Sequence, residues 1–532
     1  MNMTIISATS RRVLIIACAL ALVAIVARAL PGPRTIDDAF ITFRYSRNIV
    51  EGQGFVYNTG VHSLGTTTPL FTLLMAFMSA ITGQQDFQWY AITVSALADA
   101  VTCILLYLLA RRLTGNDWLA AIPGLLWAVS PASVTFAVGG METSVNILWM
   151  LSATAAYVLI PPTNKRRLFL IGLFTGLGFL TRIDAALWIG PLFLFQLIDV
   201  WRAGSGKALL QRVPWQTWVT FAVVLIPWFT FSTVYFGSPF PRSLSAKTVA
   251  YIMPAGKALE TLLPTYSTPF FEDSVIQGMG LLVFMILYLV LNLIGILFTA
   301  RRAPRLLPFL IYPWLYFIVF SVANPLIFRW YTAPPMPALS LGIFMGLWAV
   351  VSGIGTRKTD DQPRPNRLLP IVGIVALGWL FTSVSSWVLH PDHGLDRPAP
   401  DMAWHKIELY YQDIGTQLRE EYAVTPETVV ASGDIGAIGY FSRAFILDTV
   451  GLVTPSVSSY YPISPDLIPE GQNYAIPPQL ILDEQPAYLV AMESMVRLGL
   501  EQNPAFKSEY TLIRDIPTDF YGTGMYLYQR QG

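Results

Sequence analysis

Residues 168–198 read LFLIGLFTGLGFLTRIDAALWIGPLFLFQLI, an apolar run interrupted once, at Thr181-Arg182-Ile183-Asp184. A membrane-crossing helix needs roughly 17–25 apolar residues, and this run exceeds that. Charges in the middle of one span are costly, so the run reads as two short helices meeting at a polar break. Composition agrees: of 532 residues 54% are hydrophobic and 13% charged, against about a quarter charged in soluble domains. The chain is therefore a multi-span membrane protein. Its net charge of +1 offers no basic surface for nucleic acid. Its two cysteines, Cys18 and Cys103, sit inside apolar runs, which excludes a disulfide framework and a paired-cysteine metal site.

Further runs of spanning length lie at 13–30, 89–110, 118–138, 143–160, 216–235, 276–298, 306–323, 333–352 and 368–388; with the two short helices they make eleven spans. The first follows Arg11 and Arg12 and, at about 18 residues, outruns the roughly 7–15 of a signal-peptide core. It reads as a retained anchor with a cytoplasmic N-terminus. Lys and Arg are retained on the cytoplasmic side of spans. Arg11/Arg12, Arg111/Arg112, Lys165/Arg166/Arg167, Arg202/Lys207/Arg212, Arg301/Arg302/Arg305 and Arg357/Lys358/Arg364/Arg367 all fall at alternate connections. That pattern holds only if the apolar stretch 66–83, TTTPLFTLLMAFMSAITG, does not cross, so it reads as a juxtamembrane or re-entrant helix. One outer face then collects 31–88, 139–142, 181–184, 236–275, 324–332 and everything after about 389.

Past His390 charged and proline residues return. Residues 402–421 form an amphipathic helical pattern, and Thr428–Ala431, Ala487–Ala491 and Gly524–Tyr528 read as strands. Residues 1–388 are thus a membrane module with its first outer loop at 31–88, and 389–532 a soluble extracytoplasmic α/β domain tethered outside the membrane; the linker-like stretch 356–367 lies between the last two spans. The histidines His62, His390, His393 and His405 offer no tetrahedral set for zinc. The glycines of Gly433-Asp434-Ile435-Gly436-Ala437-Ile438-Gly439 match neither nucleotide-loop spacing, which leaves a tight strand-to-helix turn.

Ionisable groups at membrane depth are functional candidates, and here they gather on the outer face. The first loop carries TIDDAFITFRYSRNIVEGQGFVYNTG at 35–60. A helix from Asp37 to about Val50 would align Asp37, Arg44 and Asn48 on one stripe, facing an aqueous cavity, beside an apolar stripe of Ile41, Tyr45 and Ile49. One aspartate can cap that helix; the second is left over. A carboxylate half-buried beside another has a raised pKa and can act as a general base. Alternatively the pair holds a divalent metal, Mg²⁺ or Ca²⁺, through hard oxygen ligands. The other outer connections add Glu142 after Gly139-Gly140-Met141, the Arg182/Asp184 break, Arg242 and Lys247 in 236–247, and Arg329 in Phe328-Arg329-Trp330-Tyr331. Each also has a structural reading, Glu142 as a first-turn acid and Arg182/Asp184 as an ion pair. Together they predict a cavity with acids at one end and cations at the other. That polarity suits transfer from a phosphorylated lipid, in which a base deprotonates an acceptor hydroxyl and cations stabilise the departing phosphate.

Several of these stretches resemble a known family. Asp37-Asp38-Ala39-Phe40-Ile41-Thr42-Phe43-Arg44-Tyr45, then Glu51-Gly52-Gln53-Gly54-Phe55-Val56-Tyr57-Asn58 and Gly65-Thr66-Thr67-Thr68-Pro69-Leu70, look like the first extracytoplasmic loop of bacterial GT-C superfamily glycosyltransferases. Gly140-Met141-Glu142-Thr143, Leu180-Thr181-Arg182-Ile183-Asp184, Phe236-Gly237-Ser238-Pro239, Phe328-Arg329-Trp330-Tyr331 and Asp434-Ile435-Gly436-Ala437-Ile438-Gly439-Tyr440 extend the likeness over about 35–455. In pattern the chain is similar to the mycobacterial terminal β-(1→2)-arabinofuranosyltransferases. The resemblance implies an α-helical polytopic fold with about 11 transmembrane helices and a C-terminal α/β domain, in a bacterial plasma membrane. It implies a polyprenyl-phosphate-linked sugar donor, an extracytoplasmic glycan, lipid or protein acceptor, surrounding membrane lipids, and inversion by single displacement. Asp37 would be the base, with Asp38 orienting the acceptor or a metal. Arg182, Lys247 and Arg329 would meet the donor phosphate, with Arg44, Glu142, Asp184 and Arg242 as further substrate contacts. Where the arabinosyl pattern has Gly-Tyr-Thr-x-Pro, this chain has Thr66 in place of the tyrosine. The rival is a transporter or flippase for a lipid-linked saccharide. It calls for paired interrupted helices in two halves and a midplane site, whereas the polar residues here collect on one face. A non-catalytic scaffold would leave the aspartate pair unexplained.

Overall fold

The computed structural model describes residues 8–202, 213–270, 278–355, 368–389, 397–400 and 406–531. The linker at 356–367, the basic residues Lys207, Arg212, Arg357, Lys358, Arg364 and Arg367, and His390, His393 and His405 lie outside them.

Helix α1 (Ala8–Ala29) leads through an extended stretch into α2 (Asp37–Val50) and α3 (Pro69–Thr82). Then come α4 (Phe87–Thr114), α5 (Asp117–Val129), α6 (Pro131–Val138), α7 (Thr143–Leu159), α8 (Arg166–Thr181), α9 (Ala186–Arg202) and α10 (Trp215–Phe236). Short helices α11 (Ser243–Ala250) and α12 (Lys257–Ser267) precede α13 (Met279–Arg302), α14 (Leu307–Ala323), α15 (Met336–Gly355) and α16 (Leu369–Ser385). Among the described residues seven helices are long and apolar enough to cross a membrane, eight if α5 and α6, bent by 44°, count as one. Adding the shorter α7, α8 and α16 gives one helical element for each of the eleven runs read from the sequence. The bend inside 118–138 was not anticipated. Pro131 has no N–H to continue the ladder and pushes the preceding residue out of the helical region; Ser130 has ψ 132°. The break in 168–198 is as expected: α8 ends at an extended Arg182, and a single turn, Ile183–Ala185, restarts the chain into α9. Helix α3 is about 21 Å long at 1.5 Å per residue, short of the roughly 30 Å of a bilayer core.

A short antiparallel ribbon, β1 (Trp387–Leu389) with β2 (Pro398–Pro400), precedes the C-terminal domain. That domain comprises α17 (Lys406–Glu420), β3 (Val429–Ser432), α18 (Gly436–Ser442), β4 (Phe445–Asp448), α19 (Pro478–Glu484), β5 (Tyr488–Met492), β6 (Tyr510–Pro517) and β7 (Gly524–Arg530). The sheet order is β4-β3-β5-β7-β6, with β3 parallel to β4 and β5, and β7 antiparallel to β5 and β6. The central strands β3 and β5 are nearly continuous apolar runs because both faces are covered. The domain is docked rather than merely tethered: one hydrophobic core runs from Phe40, Phe43 and Phe55 of the first loop into Ile435, Ile438 and Val453 of the domain.

Candidate active site

Helix α2 begins with two acids in its first turn, where the helix dipole favours them. Its N-cap is Ile36 and no side chain caps it, so the capping role does not apply to either aspartate. Successive helix residues point about 100° apart, and the pair diverges accordingly. The Asp37 carboxylate accepts N–H bonds from Gly436 (2.9 Å) and Ala437 (2.7 Å), at the start of α18. Its own backbone N–H donates to Glu408 Oε1 at 3.2 Å. Arg44 donates from Nε to Tyr57 O (2.8 Å), from Nη1 to Gly439 O (2.8 Å) and from Nη2 to Ala444 O (2.6 Å). Asn48 donates to Val56 O and Tyr57 O. The stripe Asp37, Arg44 and Asn48, expected to face water, is therefore sealed against the loop and the C-terminal domain. Arg44 is a clamp, outside the cavity. The glycine spacing of α18 has its reason here: a Cβ on Gly436 would collide with the Asp37 carbonyl, and one on Gly439 with the Tyr57 hydroxyl.

This contact buries several acids together. Burial, then the Asp434 carboxylate, push Asp37 up to about 8 against the pull of the Ala437 N–H. Burial and the charge of Asp37 carry Glu408 to about 8. Asp434 is also raised by burial, with the Tyr411 hydroxyl donating to it at 2.9 Å in partial relief.

The other face of α2 presents Asp38, Ile41 and Thr42 to a cavity of about 510 Å³. Glu142, Arg182, Asp184, Lys247, Tyr251 and Leu452 also line it, with the hydroxyl-rich turn Thr66–Thr68. Thr68 shares hydrogen bonds with both Thr42 and Thr66, at 3.2 and 3.1 Å. The Lys247 ammonium lies 3.5 Å from Asp38 and 4.2 Å from the Phe328 ring centroid. Burial is the largest single influence and opposes its charge, but Asp38, Tyr331 and Asp448 together outweigh it and the Lys247 pKa is raised. Arg182 is buried and donates to Glu142 Oε1 at 2.6 Å and to both oxygens of Asp184 at 2.9 Å. Burial raises Glu142, with Arg182 opposing it. The separation of acids from cations expected from the sequence is not what the structure has: each cation in the cavity is matched to a carboxylate. Three acids against two cations leave one net negative charge. Arg242 and Arg329 stay outside the lining, exposed, beside the lining residues Ser243 and Trp330. Among the described residues neither forms an ion pair.

A narrow apolar crevice adjoins the cavity. It shares Thr66, Thr67 and Ile183 with it and is otherwise walled by Leu64, Phe179, Trp228, Phe229 and Phe240. Trp228 and Phe229 belong to α10, whose outward side chains, among them Val219, Val223 and Val234, are exposed. Among the described residues no group of three or more His, Cys, Asp or Glu converges to hold a metal ion. The Asp37 and Asp38 carboxylates face different partners, the N–H groups of α18 and Lys247.

Five sequence candidates thus meet in the cavity: Asp38, Glu142, Arg182, Asp184 and Lys247. Asp37 and Arg44 form the domain contact, and Arg242 and Arg329 the rim. Sequence reasoning missed Tyr251, Glu408 and Leu452. Only Glu408 carried a signal, an acid at the start of an amphipathic helix.

Comparison with known proteins bears on this architecture. Residues 66–231 match the family described as dolichyl-phosphate-mannose-protein mannosyltransferase. Residues 402–529 match a family described as a domain of unknown function. No curated protein matches the chain. Among solved structures, ArnT from Cupriavidus metallidurans in the apo state superposes with a TM-score of 0.58 at 16% identity, over 98% of each chain. The same protein bound to undecaprenyl phosphate gives 0.55 at 17% identity, over 97% of each chain. The archaeal oligosaccharyltransferase AglB from Archaeoglobus fulgidus, in complex with an inhibitory peptide and a dolichol-phosphate, gives 0.54 at 14% identity, over 97% of this chain and 74% of that one. The fold is the one that ArnT and AglB share. The family match covers residues 66–231, and the likeness to these structures extends over nearly the whole chain.

Proposed function

We propose that this protein transfers a sugar from a polyprenyl-phosphate donor to an acceptor hydroxyl outside the membrane, with Asp38 as general base. The observation that carries the reading is the position of Asp38: of the opening pair it alone borders the cavity, 3.5 Å from Lys247. Asp37, with both oxygens committed to backbone N–H groups, positions the helix instead. The roles inferred from the sequence are thereby exchanged.

In this mechanism Asp38 takes the proton from the acceptor hydroxyl. The acceptor oxygen bonds to the anomeric carbon as the carbon–oxygen bond to phosphate breaks on the opposite face, which inverts the centre. Protonation of Asp38 weakens its hold on Lys247, so the ammonium is freed while charge grows on the leaving phosphate. Arg182, its charge offset by Glu142 and Asp184, contributes an oriented donor. The unpaired Arg242 and Arg329 at the rim attract the phosphate head. The exposed side of α10 meets the lipid and the donor's polyprenyl chain. The ArnT and AglB structures that the chain resembles hold undecaprenyl phosphate and a dolichol-phosphate, which supports this donor class. The hydroxyl-lined wall at Thr66–Thr68 suits a hydroxyl-rich sugar, pentose or hexose, and the acceptor is a cell-envelope glycan, lipid or protein.

The test uses purified protein in proteoliposomes with undecaprenyl-phosphate mannose and decaprenyl-phosphate arabinofuranose as donors. Transfer by the wild type and none by Asp38→Asn support the reading; full transfer by Asp38→Asn overturns it. The orientation, with a cytoplasmic N-terminus and this cavity outside a bacterial plasma membrane, has its own check. A Gln85→Cys variant is labelled from outside by an impermeant thiol reagent, and labelling only after permeabilisation refutes that topology.

A further inference from the structure

One buried charge pair takes no part in that mechanism. Arg28, in the last turn of α1, and Asp99, near the middle of α4, are both fully buried and joined at 3.1 Å. An ionisable residue inside a membrane bundle is expensive and asks for a reason. Beyond α1 and α4 the pair reaches three further helices, α5, α6 and α7. Arg28 donates to the carbonyl of Ala128 and to the Ser133 hydroxyl, so it spans the α5–α6 bend. Asp99 accepts from Trp127 Nε1 of α5 at 3.1 Å and from Ser144 Oγ of α7 at 2.7 Å. The bend explains the cation: α5 ends at Val129 and Ser130 is non-helical, so the Ala128 carbonyl has lost the N–H of residue 132 that a continuous helix would offer it, and Arg28 takes that place.

What the pair holds leads to the cavity. The turn between α6 and α7 ends in Glu142, two residues before Ser144, and Glu142 fixes Arg182. The same turn grips the strand that enters α2: Arg34 N donates to Val138 O and Ile36 N to Gly139 O, both at 3.0 Å. Ile36 is the residue before Asp37 and Asp38. A shift of α6 or α7 therefore moves Glu142–Arg182 and Asp38 together.

We propose that Arg28 and Asp99, with Ser144, are positioning residues that set the register of the 139–142 turn and, through it, of Asp38. The kinetic half of this inference rests on the glycosyl-transfer reading; the mechanical half does not. Full-length Ser144→Ala and Asp99→Asn proteins are compared with wild type by hydrogen exchange and by kinetics of the folded, monodisperse fraction. In Ser144→Ala the amides of Arg34 and Ile36 exchange about tenfold faster while β5 exchanges as before. Its kcat falls about tenfold, and KM for the donor stays within about twofold. Asp99→Asn shows the same pattern, larger. Unchanged exchange at 33–40 overturns the proposal, as does faster exchange there with an unaltered kcat. A uniform rise in exchange with a lower melting point and an intact kcat also overturns it, since that is a purely structural clamp. Should the wild type transfer no sugar from any donor, the proposed function fails, and the exchange measurement alone still supports or overturns the mechanical link.

Discussion

Along one face of α2, Asp38, Ile41 and Thr42 border an open cavity; along the other, Asp37, Arg44 and Asn48 spend their polar atoms on backbone groups. Two identical side chains, adjacent in sequence, thereby acquire unlike chemistry. A carboxylate whose two oxygens each accept an N–H bond from α18 is held against the C-terminal domain, away from the cavity. One that faces a cavity beside a lysine can take a proton and release a cation. What separates them is the partner that covers each face.

The sharpest way to break this contrast is to exchange the two losses. Asp38→Asn is expected to lower transfer by about 10²–10⁴-fold with an unchanged melting point, while Asp37→Asn keeps measurable transfer and melts earlier. The opposite pairing in a proteoliposome assay would reverse the assignment of the faces. Next in size, Arg44→Ala deprives three buried carbonyls of a charged donor and should cost about 3 kcal/mol of stability, read by denaturant unfolding. Equal stability would mean that the clamp is idle. Gly436→Ala forces a methyl against the Asp37 carbonyl and should cost about 1–3 kcal/mol. It should also reduce transfer, because the docked domain supplies Leu452 to the cavity. The pH dependence of docking tests the buried acids directly. Asp37 and Glu408 have folded-state values near 8, above the roughly 4 of free carboxyls. The folded state then holds more protons than the unfolded one between those limits, so stability falls as pH rises from about 4 to 8. The melting temperature should drop between pH 6 and 8, and Glu408→Gln should flatten the slope; a melting temperature that climbs with pH would contradict the buried acid cluster.

Span positions were legible because hydropathy needs only length, and the break at Arg182 and Asp184 because charges are rare inside apolar runs. Five cavity residues were legible for a related reason: charge asymmetry sorts connections onto faces, and Asp38, Glu142, Arg182, Asp184 and Lys247 fall on the same one. The face of α2 was misread. Periodicity tells which residues share a stripe, and it is silent about what covers the stripe. Here the cover is α18, some 400 positions away in the chain. Strand β4, Phe445–Asp448, was not read from the sequence. In β6 a register shift between Leu512 and Arg514 spoils the alternation.

One small contact reaches further than its size. The Asn58 side-chain amide donates to Ile446 O at 2.8 Å and accepts from Ile446 N at 3.0 Å, on the free side of the edge strand β4. The first loop thus supplies a one-residue imitation of a neighbouring strand, and the sheet has no open border on that side. Synthesised from its N-terminus, the chain has this loop ready before the domain emerges, so the nascent sheet meets its own cover first. A domain produced alone would carry an unguarded strand edge, the kind of surface on which sheets add to one another.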